Sequence, residues 1–177
     1  GGLLELHGVR EDPRVASPGD EREAARLVEL REAVPAAINA LIAGAKARVH
    51  PDIEKTAGDL IVPFDRLDAS LALYRETFEG YGLDYAIWGH LSDGNLHPNV
   101  VPRSLEEMSR GRNAILEAAR GVIAMGGAPL AEHGVGRSAL KQQLLRELYG
   151  DRGIEEMRAT KRALDPGWKL SPGVLFP

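Results

Sequence analysis

Hydrophobic and polar residues alternate along this chain with two different periods, so the pattern predicts both helices and strands. Apolar residues recur every three or four positions after Asp65 and share one side of a predicted helix; they are Leu67, Leu71, Tyr74 and Phe78. Ser104 and Glu107 form a capping box, which predicts the start of another helix. Two further helices are predicted near residues 138–149 and 151–164.

The amino-terminal part of the chain predicts an interrupted helix. Ser17 and Pro18 have the pattern of an N-cap followed by the first helical residue. Because Pro35 cannot donate a backbone hydrogen bond, we expect a kink or break near Arg31, with a second stretch that continues to about Leu41.

Strands are predicted at residues 3–7 and 56–63 and in a hairpin over residues 85–100. Since strands alternate with helices and the hairpin is antiparallel, we expect an α+β fold. Its form would be a ferredoxin-like antiparallel sheet with helices on one face. Helices and an extended, proline-containing tail should complete the C-terminal part.

The hairpin contains candidate metal ligands. Asp93 and Gly94 predict a two-residue type I′ turn, because glycine tolerates the positive φ that this turn needs. Such a turn puts His90 opposite His97, with paired Cβ atoms about 4.5–5.5 Å apart. Two imidazoles at this separation can bind one metal ion; the alternative is a half-buried pair of stacked rings.

A second segment adds two more candidates, Glu132 and His133, which stand beside glycines. His90, His97 and Glu132 would form a two-histidine, one-carboxylate set that leaves coordination positions open for water or substrate. The free imidazole of His133 could then accept a proton from a bound hydroxyl group. The alternatives are a solvated Glu132, or one paired with Arg137, and a His133 that binds a backbone carbonyl.

Composition narrows the class of protein. The chain has 177 residues, enough for one domain with a buried core. Its net charge of −4, with both signs interspersed, argues against a nucleic-acid-binding surface, and the lack of cysteine excludes disulfides and thiolate metal sites. No apolar run approaches the length of a transmembrane segment, and the first residues lack the pattern of a signal peptide. Gly126 and Gly127 predict the end of a helix, not a phosphate-binding loop.

Three blocks of the sequence, residues 89–97, 132–136 and 165–173, resemble signature segments of a known family. The chain is similar to the C-terminal domain of the FAD-linked oxidases. This family includes D-lactate dehydrogenase, glycolate oxidase and D-2-hydroxyglutarate dehydrogenase relatives within the vanillyl-alcohol-oxidase superfamily. Two positions depart from the family pattern: Ser92 replaces a glycine, and Ser171 replaces an asparagine.

The resemblance implies that residues 1–177 form a substrate- and metal-binding C-terminal domain, with the FAD-binding domain absent from this chain. The enzyme would oxidise a D-2-hydroxy acid, lactate- or glycolate-like, to the 2-oxo acid and transfer a hydride to FAD. Matching positions in the family support His90, His97 and Glu132 as metal ligands and His133 as the catalytic base. Zinc is the expected ion, with manganese and iron as alternatives.

The resemblance also implies substrate-binding roles for Arg31, Lys55 and Asn99. Arg31 and Lys55 stand where relatives carry cations, and a guanidinium suits a carboxylate that it can bind through two bonds. Asn99 shares a face with His97 by strand alternation, and relatives have a substrate-contacting asparagine there. A surface ion pair for Arg31 and a backbone contact for Asn99 are the alternatives. Pro35 replaces a residue that is polar in some relatives, which argues against recognition of a second substrate carboxylate.

Two other functions stay open at this point. A His-His-Glu site also suits a metal-dependent hydrolase, and the chain could be a non-catalytic subunit of an oxidase complex. The expected partners are a small 2-hydroxy acid and a FAD-binding domain or subunit, and the sequence leaves self-association open. We expect a cytoplasmic protein, with peripheral membrane association through an electron-acceptor complex as an option.

Overall fold

The structure is a computed structural model that describes residues 14–176. The chain divides into two compact units, the first ending at Ala37 and the second beginning at Ile38. The strand predicted at residues 3–7 lies outside the described residues. Within them, no helix combines the length and the apolar character needed to cross a membrane.

Helix α1 (Glu21–Arg48) begins later and runs further than predicted. The N-cap predicted at Ser17 is wrong: Asp20 takes this role, and its Oδ1 accepts a backbone N–H of the first turn at 3.1 Å. Of the predicted kink or break near Arg31, the break is wrong, since Pro35 lies inside the continuous helix. Residues 31–34 are exposed, so water can satisfy the carbonyl group that loses its helical partner.

The second unit is built on an antiparallel sheet. Its strands are β1 (Thr56–Ala57), β2 (Leu60–Ile61), β3 (Tyr85–His90) and β4 (Asn95–Val100). Strand β4 is central: it pairs with β3 along one side and with β1 and β2 along the other. The single strand predicted at residues 56–63 is therefore two short strands, and Gly58 and Asp59 lie in the break between them.

Three helices complete this unit: α2 (Leu67–Gly80), α3 (Leu105–Ala124) and α4 (Ala139–Leu164). The predicted cap of α3 is confirmed, because Ser104 Oγ accepts the backbone N–H of Glu107 at 3.1 Å. Helix α4 bends at Gly150, where two helices were predicted to meet. The core between the sheet and helices α2 and α3 includes Leu60, Tyr74, Phe78, Leu96, Val100, Ile115 and Val122. The predicted α+β class is confirmed.

The opposite face of the sheet combines apolar packing with buried polar groups. The apolar part consists of Ile38, Ile42, Ala86, Trp88 and Val101. Because strand residues alternate between faces, His97 and Asn99 of β4 point away from the core on Leu96 and Val100. Both polar residues are nevertheless buried, so the side chains of His97 and Asn99 are held in place on this face.

The tail after α4, predicted to be extended, contains neither helix nor strand up to Phe176. It makes successive turns, and these bring Trp168 and Phe176 into a small apolar cluster with Val135, Leu145 and Ile154. The tail therefore packs against the end of the domain.

The hairpin register differs from the prediction by two residues. Trp88 pairs with His97 and His90 pairs with Asn95, so the predicted pairing of His90 with His97 is wrong. A shift of two residues leaves every side chain on its original face, whereas a shift of one would reverse them. His90 and His97 are therefore diagonal neighbours on the same face.

The turn itself explains this register. The connection is a 3₁₀ turn (Leu91–Asp93) followed by Gly94 with a φ of 71°, instead of the predicted two-residue type I′ turn. The Gly94 carbonyl accepts the backbone N–H of Val62 at 3.1 Å. A contact beyond the hairpin thus holds the longer turn in place.

We expect Gly94→Ala to destabilise the domain more than Gly126→Ala. Their φ values are similar, 71° and 81°, but an added Cβ would lie 2.3 Å from the Val62 carbonyl oxygen at Gly94 and meet nothing within 4 Å at Gly126. The left-handed backbone alone costs alanine about 1–2 kcal/mol, and the overlap should add about 1–3 kcal/mol for Gly94→Ala. Urea unfolding measures both free energies, and equal losses would contradict the close contact.

Candidate metal centre

Three histidine side chains converge on one carboxylate oxygen in the second unit. Glu132 Oε1 lies 3.0 Å from His97 Nε2, 3.1 Å from His133 Nε2 and 3.6 Å from His90 Nε2. The His97 ring stacks on the His133 ring with centroids 4.7 Å apart, and it meets the His90 ring edge-on at 5.9 Å. The same nitrogen of each imidazole therefore faces the same oxygen.

Two separate parts of the chain supply these groups. His97 lies in the middle of β4, and His90 ends β3 just before the turn. The other two groups belong to the loop between α3 and α4. That loop approaches the sheet through two isolated backbone bridges, Ile61 with Ala128 and Asp59 with Leu130. Backbone pairing thus brings the loop to the polar face.

Asp59 completes the cluster, and it was not among the predicted site residues. It is 2% exposed and lies in the break between β1 and β2. Its Oδ2 accepts the backbone N–H of Glu132 at 2.9 Å and that of His133 at 2.7 Å, and its Oδ1 lies 3.6 Å from His97 Nδ1. The sequence does contain a signal for it: Asp59 stands directly before the apolar run at residues 60–62, where burial is expected. A buried carboxylate needs hydrogen-bond partners, which marks such a residue as a candidate for a polar site.

The donor set fits a divalent cation. Ligand atoms of Asp59, His97, Glu132 and His133 all lie within 4.8 Å of one another. His90 is outside that group of four, although its Nε2 faces the same oxygen. In the described part of the chain, His97 Nδ1 and Asp59 Oδ1 are buried without a hydrogen-bond partner. Imidazole nitrogen combined with carboxylate oxygen suits zinc, manganese or iron.

The cluster has a buried side and an open side. The side chains of Asp59 and His97 are 1% and 7% exposed, whereas those of Glu132, His90 and His133 are 42%, 43% and 56% exposed. A ligand from solvent can therefore reach the convergence point, and the protein interior fixes its back wall.

Burial and nearby charges shift the pKa values of the two buried groups. Burial, together with the neighbouring His133, lowers the pKa of His97 below its ordinary value of 6.5, and the attraction of Asp59 and Glu132 only partly opposes this. Burial alone would raise the pKa of Asp59, but the backbone N–H groups of His133 and Glu132 outweigh it, so the pKa is lowered. His97 is thus held in the neutral form that binds metals, beside an ionised Asp59.

Two of the predicted substrate-binding residues, Asn99 and Lys55, belong to the same unit as this cluster. Asn99 is 1% exposed, and its Nδ2 donates to the His97 carbonyl at 2.7 Å, which is the backbone contact named above as its alternative. Lys55 Nζ lies 3.3 Å from Asn39 Oδ1 and 5.5 Å from the centre of the Trp88 ring. Trp88 is the β3 partner of His97, so Lys55 stands over a neighbour of the site.

Arg31 belongs to the first unit. Its side chain is 70% exposed, and its guanidinium donates to Glu32 Oε1 at 3.1 Å. This surface ion pair is the alternative given above, so a substrate role for Arg31 stays a prediction.

Comparison with known proteins agrees with the resemblance of the three sequence blocks. The family described as FAD linked oxidases, C-terminal domain, matches residues 3–175. Glycolate oxidase subunit GlcD of Bacillus subtilis is 33% identical over 158 residues, which cover 88% of this chain and 31% of that protein. Probable mitochondrial D-lactate dehydrogenase of Danio rerio is 33% identical over 127 residues, which cover 71% and 25% of the two chains.

A third relative, D-2-hydroxyglutarate dehydrogenase of Escherichia coli, is 30% identical over 127 residues, which cover 68% of this chain and 12% of that protein. The chain thus spans less than one third of the length of each of these relatives. Because the family match extends over residues 3–175 and includes the whole histidine cluster, the chain belongs to the C-terminal domain family of the FAD-linked oxidases.

Proposed function

We propose that this domain binds the substrate and a divalent cation in a FAD-dependent enzyme that oxidises a lactate- or glycolate-like D-2-hydroxy acid to the 2-oxo acid. The observation that carries the proposal is the convergence of three imidazole Nε2 atoms on Glu132 Oε1. Membership of the FAD-linked oxidase family supports oxidoreductase chemistry. The names of the relatives, which include glycolate oxidase and D-lactate dehydrogenase, support the substrate class.

His90, His97 and Glu132 would hold the cation. They offer two neutral nitrogen donors and one anionic oxygen, and they leave coordination positions for the substrate. The buried His97 gives this set a fixed inner member, and the Glu132 carboxylate offsets part of the positive charge. When bound, the cation lowers the pKa of a coordinated hydroxyl group. Zinc is our first candidate, with manganese and iron as alternatives.

His133 would accept the hydroxyl proton of the substrate at Nε2, the atom that faces Glu132 Oε1 at 3.1 Å. Its ring is stacked on His97 and its backbone N–H is bound by Asp59, so both the ring plane and the main chain are fixed. Its side chain is 56% exposed, which leaves it accessible to a substrate. As the proton moves to His133, the C2–H bond breaks, its electron pair leaves with the hydrogen, and the C2–O bond becomes double.

The substrate carboxylate needs a cationic partner. Lys55 is our candidate within the second unit, because its ammonium group lies over Trp88, the strand partner of His97. Arg31 and Asn99 are retained as candidate substrate contacts on the resemblance. Asn99 also donates a hydrogen bond to the His97 carbonyl, so it adjoins the cluster. Pro35 supplies no donor, which favours a substrate with a single carboxylate.

FAD, when bound, supplies the acceptor for the hydride that leaves substrate C2. We propose that a further domain or subunit holds the FAD, because the relatives are about three or more times longer than their matched segments. A cytoplasmic location and self-association belong to the same set of proposals.

The purified chain should bind about one zinc ion per molecule, measured by calorimetric titration and elemental analysis. His90→Ala and His97→Ala each remove one ligand. Each should weaken zinc binding more strongly than the loss of about 10–100-fold that is typical when a residue supporting a ligand is replaced. His50→Ala is the matched control, because His50 lies outside the cluster and should leave zinc affinity unchanged. Parent-like zinc binding in both ligand variants would refute the assignment.

Flavin reduction tests the role of His133. In the flavoprotein assembled from this domain and its FAD-binding domain or subunit, D-lactate or glycolate should bleach the flavin absorbance under anaerobic conditions. His133→Gln keeps a polar side chain but removes the base, so stopped-flow reduction should slow by about 10²–10⁴-fold. His50→Gln should reduce at the parent rate.

The other candidate functions give different outcomes in these experiments. A non-catalytic subunit would leave flavin reduction unchanged in His133→Gln. A metal-dependent hydrolase would show hydrolysis with zinc alone and no flavin reduction. Either result would contradict the proposed function.

A further inference from the structure

Asp59 is a buried carboxylate to which the proposed reaction gives no role. It is 2% exposed, and its ion-pair contacts in the described part of the chain are with His97 and His133, with neither lysine nor arginine. Burying a carboxylate is unfavourable unless hydrogen bonds compensate it. Within the described residues, the hydrogen bonds of its carboxylate come from two residues of the histidine cluster, Glu132 and His133.

One oxygen of Asp59 fixes the loop that carries Glu132 and His133. Oδ2 accepts the backbone N–H groups of both residues, at 2.9 and 2.7 Å. Bonds from an ionised acceptor to two consecutive amides restrict the main chain at the two positions whose side chains enter the cluster. The loop thus cannot turn without breaking one of them.

The other oxygen faces the ring of His97. Asp59 Oδ1 lies 3.6 Å from His97 Nδ1, and in the described part of the chain neither buried atom has a hydrogen-bond partner. A movement of about 0.5 Å would bring them to hydrogen-bonding distance. Only the tautomer with a proton on Nδ1 can use this contact, because the other would set two buried acceptors against each other. Glu132 Oε1 competes for the ring proton at Nε2, 3.0 Å away, but its side chain is 42% exposed and water can satisfy it, whereas that of Asp59 is 1% exposed.

We propose that Asp59 is a positioning residue: it selects the Nδ1–H tautomer of His97 and fixes the main chain of Glu132 and His133. The free lone pair of His97 is then on Nε2, the nitrogen that lies 3.0 Å from Glu132 Oε1. This role rests on the proposed metal-binding function, since Asp59 would orient two of the cation's ligands, His97 and Glu132. The tautomer can be measured without the cation.

The Asp59→Asn variant should reverse the tautomer of His97. It has nearly the same shape, but its amide oxygen must face the two backbone N–H donors, because an NH₂ group there would meet donors. Its NH₂ group then faces His97 Nδ1, which must act as an acceptor, so the ring proton moves to Nε2. The nitrogen needed by the cation is then protonated.

The test is long-range ¹H–¹⁵N NMR of histidine-labelled, metal-free chain at an alkaline pH where imidazoles are neutral. We expect His97 as the Nδ1–H tautomer in the parent chain and as the Nε2–H tautomer in Asp59→Asn. Calorimetric titration with zinc should give an affinity about 10–100-fold lower for Asp59→Asn than for the parent.

Asp165→Asn is the matched control. Asp165 is 8% exposed and likewise accepts two consecutive backbone N–H groups, from Lys169 at 3.0 Å and Leu170 at 2.9 Å. It lies in the tail after α4 and, within the described residues, makes no hydrogen bond or ion pair with the cluster. Its substitution should lower stability while leaving the His97 tautomer and zinc affinity unchanged.

Two results would overturn the positioning role. One is the Nε2–H tautomer of His97 in the metal-free parent, which needs no variant and so does not depend on Asp59→Asn folding. The other is a folded Asp59→Asn chain with the parent tautomer. If the parent shows the expected tautomer but binds no zinc, the proposed metal function fails while the selection of the tautomer stands.

Discussion

The carboxylate of Asp59 joins two parts of the second unit that are far apart in sequence. Its bonds to the amides of Glu132 and His133 span 73 and 74 positions. They connect a break at the edge of the sheet to the loop between α3 and α4. Because Asp59 and His97 are both buried, the packing around them fixes their positions, and Asp59 in turn holds the loop residues. The histidine cluster thus takes its geometry from the interior of the domain.

The two faces of the sheet have different roles: one packs into the apolar core, and the other carries the polar residues of the cluster. One face packs Leu96 and Val100 against α2 and α3, while the other presents buried polar residues of the same strand. The cluster forms where the sheet is irregular, at the break before β2 and at the end of β3. Gly89 illustrates this: its φ is 151°, and an added Cβ would lie 2.2 Å from the Asn95 carbonyl oxygen. Only glycine permits the two strands to approach so closely beside His90.

Local patterns in the sequence predicted the local parts of the structure. The apolar stripe of α2, the Ser104 cap and the bend at Gly150 all depend on residues within a few positions of one another. The same holds for the choice of His90, His97, Glu132 and His133, which stand in two short motifs. Their convergence could be anticipated because a register error of two residues leaves both hairpin histidines on one face.

The features that the sequence did not reveal depend on distant partners. Asp93 and Gly94 suit a two-residue turn, but the longer turn is held by Val62, more than 30 positions away. Asp59 resembles an ordinary residue at the start of a strand until its two amide donors are in view. Pro35 was expected to kink or break α1, yet the helix continues through it because an exposed carbonyl can bind water.

A crystal structure of the zinc-loaded chain, with the ion located by anomalous scattering, is the most direct test of the proposed metal centre. We predict one ion bound to Nε2 of His90, Nε2 of His97 and the Glu132 carboxylate, at about 2.0–2.2 Å from each. An ion bound through Asp59, or one located away from the histidine cluster, would contradict this account.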